Sequence, residues 1–280
     1  MDAVISGLFD DASAIRKVTA EPHTLLGGTA ALLLQLAHPS VAAGVSEHSE
    51  FKQNPLLRLF STLDYLGMVV FGTKEEAHRI AWHAMRAHDR VKGPGYSAHD
   101  ADLLTWVFAT LSEGSRDLQE RLHGPLDPDL AEQYYRQTVL LATLLGAPRE
   151  AVPEDRAAFR AYWHEQITTL QVSDVARQEA QAILYPRPLV LRLGAPLNRL
   201  ITAGLLPEQI RRQYDLPWTP FRERLFRALI ASMSVQLRVT PAPIRRLPTR
   251  GLMALARRTR WKKYSAPAAE RGQGRVKGAA

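Results

Sequence analysis

The sequence predicts an all-α fold, a single globular multi-helix domain. Three observations predict it. Apolar residues recur at helical spacing in segment after segment, helix-starting and helix-stopping residues fall between those segments, and no run alternates with period two between turn signals. The chain has 280 residues, 46% of them hydrophobic, which is enough for one large core and too apolar for a disordered protein.

The elements follow in order. Gly27-Gly28 opens an apolar helix to His38, where Pro39 kinks or restarts it, and a loop is expected to Asn54. Thr29 to Val45 is the most apolar stretch. Gln35, His38 and Pro39 interrupt it, so it reads as a buried core helix, and no transmembrane segment is expected. Pro55 suits the first turn of a helix to Phe71. Thr73 with Glu76 forms a capping box that starts a helix to about Lys92, stopped by Gly93-Pro94-Gly95. His99-Asp100 leads into a helix over about 101–122, ended by Gly124-Pro125. Asp127-Pro128 opens the next, which runs to Leu145 and is closed by Gly146-Ala147-Pro148. Further helices are expected over 155–170, 173–184, 187–203, 207–214 and 220–239, the last begun by Thr219-Pro220. No internal repeat is visible. The organisation is thus a helical domain over 1–247, a basic helix over 248–263, and a basic tail over 264–280 that reads as disordered.

Composition excludes several functions. There is no cysteine, so disulfides, thiolate zinc sites, iron–sulfur clusters and a thiolate-ligated haem are ruled out. The first residues lack the basic-then-apolar pattern of a signal peptide, and a cytoplasmic location is expected. The net charge is +8, but eleven Lys/Arg against Glu270 alone put +10 on residues 245–280, leaving the rest at −2. The positive charge therefore belongs to the tail, and no specific nucleic-acid partner is expected.

The helix from Thr73 is the most informative for chemistry. Its buried stripe by spacing is Ala77, Ile80, Ala81, Ala84, Ala87, His88 and Val91. A row of alanines leaves space beside a helix, and His88 stands on that row. An imidazole in an apolar slot suits an axial haem ligand, although close helix packing and a hydrogen-bonded core histidine explain the same pattern. On the preceding helix Arg58 and Thr62 share a face, and an arginine there suits a carboxylate or propionate. His38 and His48 are further candidates for a pocket, or else a turn histidine and a loop histidine. Glu-x-x-His occurs at Glu75/His78 and at Glu120/His123, the spacing used by di-iron helical proteins. Neither position suits a rigid buried ligand, because Glu75 lies in a first turn and His123 directly precedes Gly124-Pro125. Nucleotide-binding glycine loops, a nucleophile elbow and a zinc-protease motif are all absent.

Taken together and in order, five stretches resemble the family that includes the rubber oxygenase and the fungal oxygenase MpaB. They are QLAHPSVAAGVSEHSEF, RLFSTLDYLGMVVFGTKEEA, MRAHDRVKGPGYSAHDADLLTWVFATL, FRAYW and LITAGLLPEQIRRQYDLPWTP, and they cover about residues 20–240. The resemblance implies a globin-like all-α core holding haem b, with His88 as the axial ligand of the iron. It implies oxygenation of an apolar, isoprenoid-type alkene by dioxygen. Arg58 and Thr62 fall on a family Arg-x-x-x-Thr pattern. Arg58, Arg86 and Lys92 are the expected partners of the haem propionates, and Thr62 the expected hydrogen-bond donor to dioxygen or a water. The chain departs from the family at Met85 and Lys92, where arginines are usual, at Ser61 in place of a lysine, and at Phe108 in place of a histidine. Three other readings stay open beside the oxygenase: a non-catalytic helical binder of a lipid or isoprenoid, a di-iron carboxylate oxidase, and a helical interaction protein whose basic tail binds nucleic acid.

Overall fold

The computed structural model describes residues 7–48, 55–186 and 189–259, leaving the side chains of 55–60 and 189–191 outside the description. The basic tail over 264–280 therefore lies outside the described residues. The described chain is all-α, with helices α1 (Ala14–Thr19), α2 (Gly28–Ala37), α3 (Pro39–His48), α4 (Pro55–Phe71), α5 (Lys74–His88), α6 (Ala101–His123) and α7 (Pro128–Leu144). There follow α8 (Arg156–Thr169), α9 (Asp174–Leu184), α10 (Leu189–Leu205), α11 (Glu208–Gln213), α12 (Pro220–Val239), α13 (Ala242–Arg245) and α14 (Leu247–Thr259). A 3-10 turn, Pro22–Gly27, leads into α2.

The predicted punctuation accounts for most boundaries. The Thr73 hydroxyl accepts from the Glu76 amide at 3.1 Å, and the Glu76 carboxylate accepts from the Thr73 amide at 2.9 Å, completing the capping box of α5. Asp127 caps α7 ahead of Pro128, and Thr219 caps α12 ahead of Pro220. Three expectations are corrected. Of the two outcomes expected at Pro39 the helix restarts, as α3, and runs to His48, so the loop expected before Asn54 is shorter than read; the two axes meet at 105°. α5 ends at His88 rather than Lys92. The chain then makes a two-residue antiparallel pair, Lys92–Gly93 with Tyr96–Ser97, although no strand was expected. Pro94-Gly95 is the turn between them, and Gly95 has the positive φ (80°) that such a turn demands.

α2 and α6 carry the centre of the core. Leu33, Leu36 and Trp106 are fully buried, and the Trp106 indole N–H donates to the Leu34 carbonyl at 3.1 Å. α2 packs on α6, α1 on α7, α3 on α9, and α4 and α5 form a hairpin across Gly72-Thr73. Among the described residues no helix is long and apolar enough to cross a membrane. α14 is part of the body: it packs on α4, and Arg257 makes a two-pronged bond to the Glu76 carboxylate, both arms 2.9 Å.

Candidate functional site

Small residues open a space inside the body. Gly27, Gly28, Ala31, Gly67, Gly114 and Ala256 all border a cavity of about 250 Å³ between α1, α2, α4, α6, α7 and α14. Close packing normally fills such volume, and a dry cavity of about 150 Å³ already admits benzene. The walls present carbon: Leu66, Val70, Leu111, Leu141, Leu252 and Met253. Several polar side chains of the wall are already hydrogen-bonded. Ser112 and Thr138 hydroxyls lie 3.1 Å apart, the Tyr134 hydroxyl donates to the Ser112 carbonyl at 3.1 Å, and the Gln35 amide donates to Thr110 at 3.1 Å. Thr62, exposed, stands at the mouth, and Asp64 is an acid in the wall, 3% exposed.

Among the described candidate site residues from the sequence, Thr62 borders this cavity. Arg58 falls in the first turns of α4, and its side chain lies outside the described residues. His88 is the last residue of α5, half-buried, with its ring edge-on to His99 at 6.1 Å. Arg86 is 66% exposed, pairs with Asp89 at 3.1 Å and lies over the Trp82 ring at 5.9 Å. Lys92 is exposed. Because α4 and α5 run antiparallel, the backbone sets His88 level with the start of α4, where Arg58 lies.

A haem on His88 requires a dry slot beside the imidazole and cations for the propionates. The predicted alanine stripe is buried at Ala77 and Ala81, half-buried at Ala84 and exposed at Ala87. Arg86 is engaged with Asp89, and His88 is not in the cavity wall. The described side chains do not by themselves fit a haem at this position. Phe108 is 3% exposed and packs with Tyr135 and Phe159 at ring distances of 6.4 and 6.1 Å, so the family histidine position is apolar core here.

The remaining histidines separate clearly. His38 accepts from the Ser40 amide at 3.3 Å, a turn histidine, and burial pushes its pKa down. A ring nitrogen of His48 meets the Lys92 carbonyl at 2.9 Å. Glu75 pairs with Arg79, His78 bonds the Lys74 carbonyl at 2.7 Å, and Glu120 is held by Arg116, so the two Glu-x-x-His pairs do not converge. His123 instead meets Glu21 and His23. Glu21 precedes the 3-10 turn and is 6% exposed, as is His23; burial pushes the His23 pKa down against the raising effect of Glu21. Sequence reasoning missed Glu21 and His23, because about a hundred residues separate them from His123. The one local signal was His123 itself.

The chain matches the family described as "ER-bound oxygenase mpaB/B'/Rubber oxygenase, catalytic domain" over residues 15–235. An uncharacterised protein of Mycobacterium bovis and one of Mycobacterium tuberculosis are each 30% identical to it over 223 residues, covering 75% of this chain and 87% of theirs. No solved structure matches it. The helical order, the cavity within it and this match over most of the chain together identify the protein as a member of the mpaB/rubber oxygenase catalytic-domain family.

Proposed function

We propose that this protein is an oxygenase that takes dioxygen and an apolar, isoprenoid-type alkene, with the hydrocarbon held in the cavity behind Thr62. The observation that carries the reading is that cavity of about 250 Å³, carbon-walled, in a chain of an oxygenase family. An apolar ligand gains from leaving water, and a wall most of whose surface is carbon suits it. The Thr62 hydroxyl is the proposed hydrogen-bond group toward dioxygen or a water at the mouth. Haem b on His88, with Arg58, Arg86 and Lys92 toward its propionates, is what the family resemblance implies; the described side chains around His88 do not by themselves fit it, so the proposal rests on the family and the cavity alone. The support for the haem itself is the family resemblance.

The same cavity supports a second reading, a non-catalytic carrier of a lipid or isoprenoid. The exposed surroundings of Arg86 and Lys92 favour it. The deciding experiment is the visible spectrum of the protein expressed with haem supply, beside His88→Ala, followed by oxygen uptake and carbonyl-product analysis with isoprenoid alkenes. A Soret band that is lost or shifted in the variant, with alkene-dependent oxygen uptake, is the expected result. Saturable binding of the alkene with no Soret band after haem reconstitution overturns the haem oxygenase and leaves the carrier.

A further inference from the structure

We propose that Glu21, His23 and His123 form a binding site for one divalent transition-metal ion, with zinc the best fit. None of the three residues lines the cavity, although their neighbours Pro22 and Thr24 do, and the proposal rests on no part of the oxygenase reading. The three donor atoms, Glu21 Oε2, His23 Nδ1 and His123 Nε2, are buried and have no hydrogen-bond partner. They face one another: Oε2 lies 3.3 Å from His23 Nδ1 and 3.4 Å from His123 Nε2, and all three lie within 4.8 Å of one another. Buried polar atoms are nearly always bonded, so three orphans clustered within 4.8 Å of one another call for an occupant.

The oxygen-to-nitrogen spacing fits a tetrahedral ion. Two ligand atoms about 2.1 Å from a zinc ion at the tetrahedral angle lie about 3.4 Å apart. The two oxygen-to-nitrogen distances match that value. Two imidazoles and one carboxylate are also a donor set that zinc uses when a fourth position is left to water. The His123 side chain is 23% exposed, although its donor atom Nε2 is buried.

The groups behind the donors are arranged as a supporting shell. Gln119 presents its oxygen 3.1 Å from His23 Nε2, so Nε2–H donates there and the lone pair of Nδ1 is left pointing at the site. Arg245 lies 3.1 Å from the other Glu21 oxygen, Oε1, and donates to the Leu237 carbonyl at 2.6 Å. That guanidinium neutralises one carboxylate oxygen and leaves Oε2 for the ion. Its charge opposes a cation, but it acts from the far side of the carboxylate. The residues come from three places: the 3-10 turn before α2, the last turn of α6, and α13. An ion there would tie the N-terminal segment to the end of the longest helix.

The test uses the full chain, stripped of metal by chelator and dialysed. Zinc chloride titration followed by metal analysis is expected to saturate at one ion per chain and to raise Tm. Cobalt(II) in place of zinc is expected to give the intense visible absorption of a tetrahedral ion. His123→Gln and Glu21→Gln are expected to abolish both signals. Gln119→Leu is expected to weaken binding by about 10–100-fold, as removal of a supporting partner does. Circular dichroism verifies the fold of each variant, and the wild-type cobalt spectrum decides the matter even if a variant does not fold. Weak, octahedral-type cobalt absorption, or zinc uptake that both ligand variants leave unchanged, overturns the site. The cluster would then be an ion pair between Glu21 and a protonated histidine, with surface histidines taking up the metal.

Discussion

Replacing Gly67 by alanine sets two opposing effects against each other. Gly67 lies in α4, and a Cβ built there would stand 2.5 Å from Met253 Sδ and 3.5 Å from its Cε. Alanine in a helix interior is favoured over glycine by about 1 kcal/mol. Overpacking a fitted site costs about 1–3 kcal/mol, and a thioether 2.5 Å from a new carbon has to swing aside. The expected net effect is destabilisation by about 1 kcal/mol, or a fall in Tm of roughly 2–4 °C for a chain of this size. Met253→Ala alone should cost about 2 kcal/mol, at the low end for a buried methionine because one side already faces the cavity. In that background the clash is gone and only the helix preference remains, so Gly67→Ala should stabilise by about 1 kcal/mol. The sign of one substitution thus reverses with the residue on α14. Urea denaturation of the two single variants and the double variant measures it. If Gly67→Ala has the same effect in both backgrounds, α14 is not seated on α4 as described and the cavity has lost part of its wall.

Other predictions follow from the same geometry. Glu76→Gln should cost about 1–2 kcal/mol at pH 7, because it weakens the capping box and the two-pronged bond from Arg257. The Arg257 guanidinium, chiefly, and the Thr73 amide hold the Glu76 carboxyl below its usual range despite burial. Its contribution is therefore present above the unfolded-state value of about 4.3 and is lost as pH falls through the depressed one; the gap between wild type and variant in urea melts should close at acid pH. Phe108→His, which restores the usual family residue, should destabilise by roughly 2–4 kcal/mol, since it buries an imidazole among Tyr135 and Phe159. Thermal melts at pH 7 check this, and an unchanged Tm would mean the position is not core. Leu66→Trp should fill the cavity and lower saturable binding of an isoprenoid alkene at least tenfold while leaving the zinc stoichiometry unchanged. Isothermal titration with each ligand separates the two.

The sequence by itself determined the helices. Caps, prolines at first positions and glycine stops act within a few residues, so Thr73 with Glu76, Asp127-Pro128 and Thr219-Pro220 were legible and the structure places helix starts at each. Family membership was legible for a related reason: ordered stretches of side chains survive as a pattern along the chain. The restart at Pro39 was legible from the proline, whereas the short pair at Lys92 was missed because its hydrogen bonds depend on a sharp turn, and periodicity does not register a turn. Only the tertiary structure decided where space and charge collect. The cavity exists because small residues of α2, α4, α6 and α14 face one another, and no local spacing reports such a meeting. It was also the tertiary structure that left His88 outside that cavity and joined His123 to Glu21 and His23. Side-chain convergence is a property of packing, and packing is set by the sum of all the buried faces rather than by any one segment.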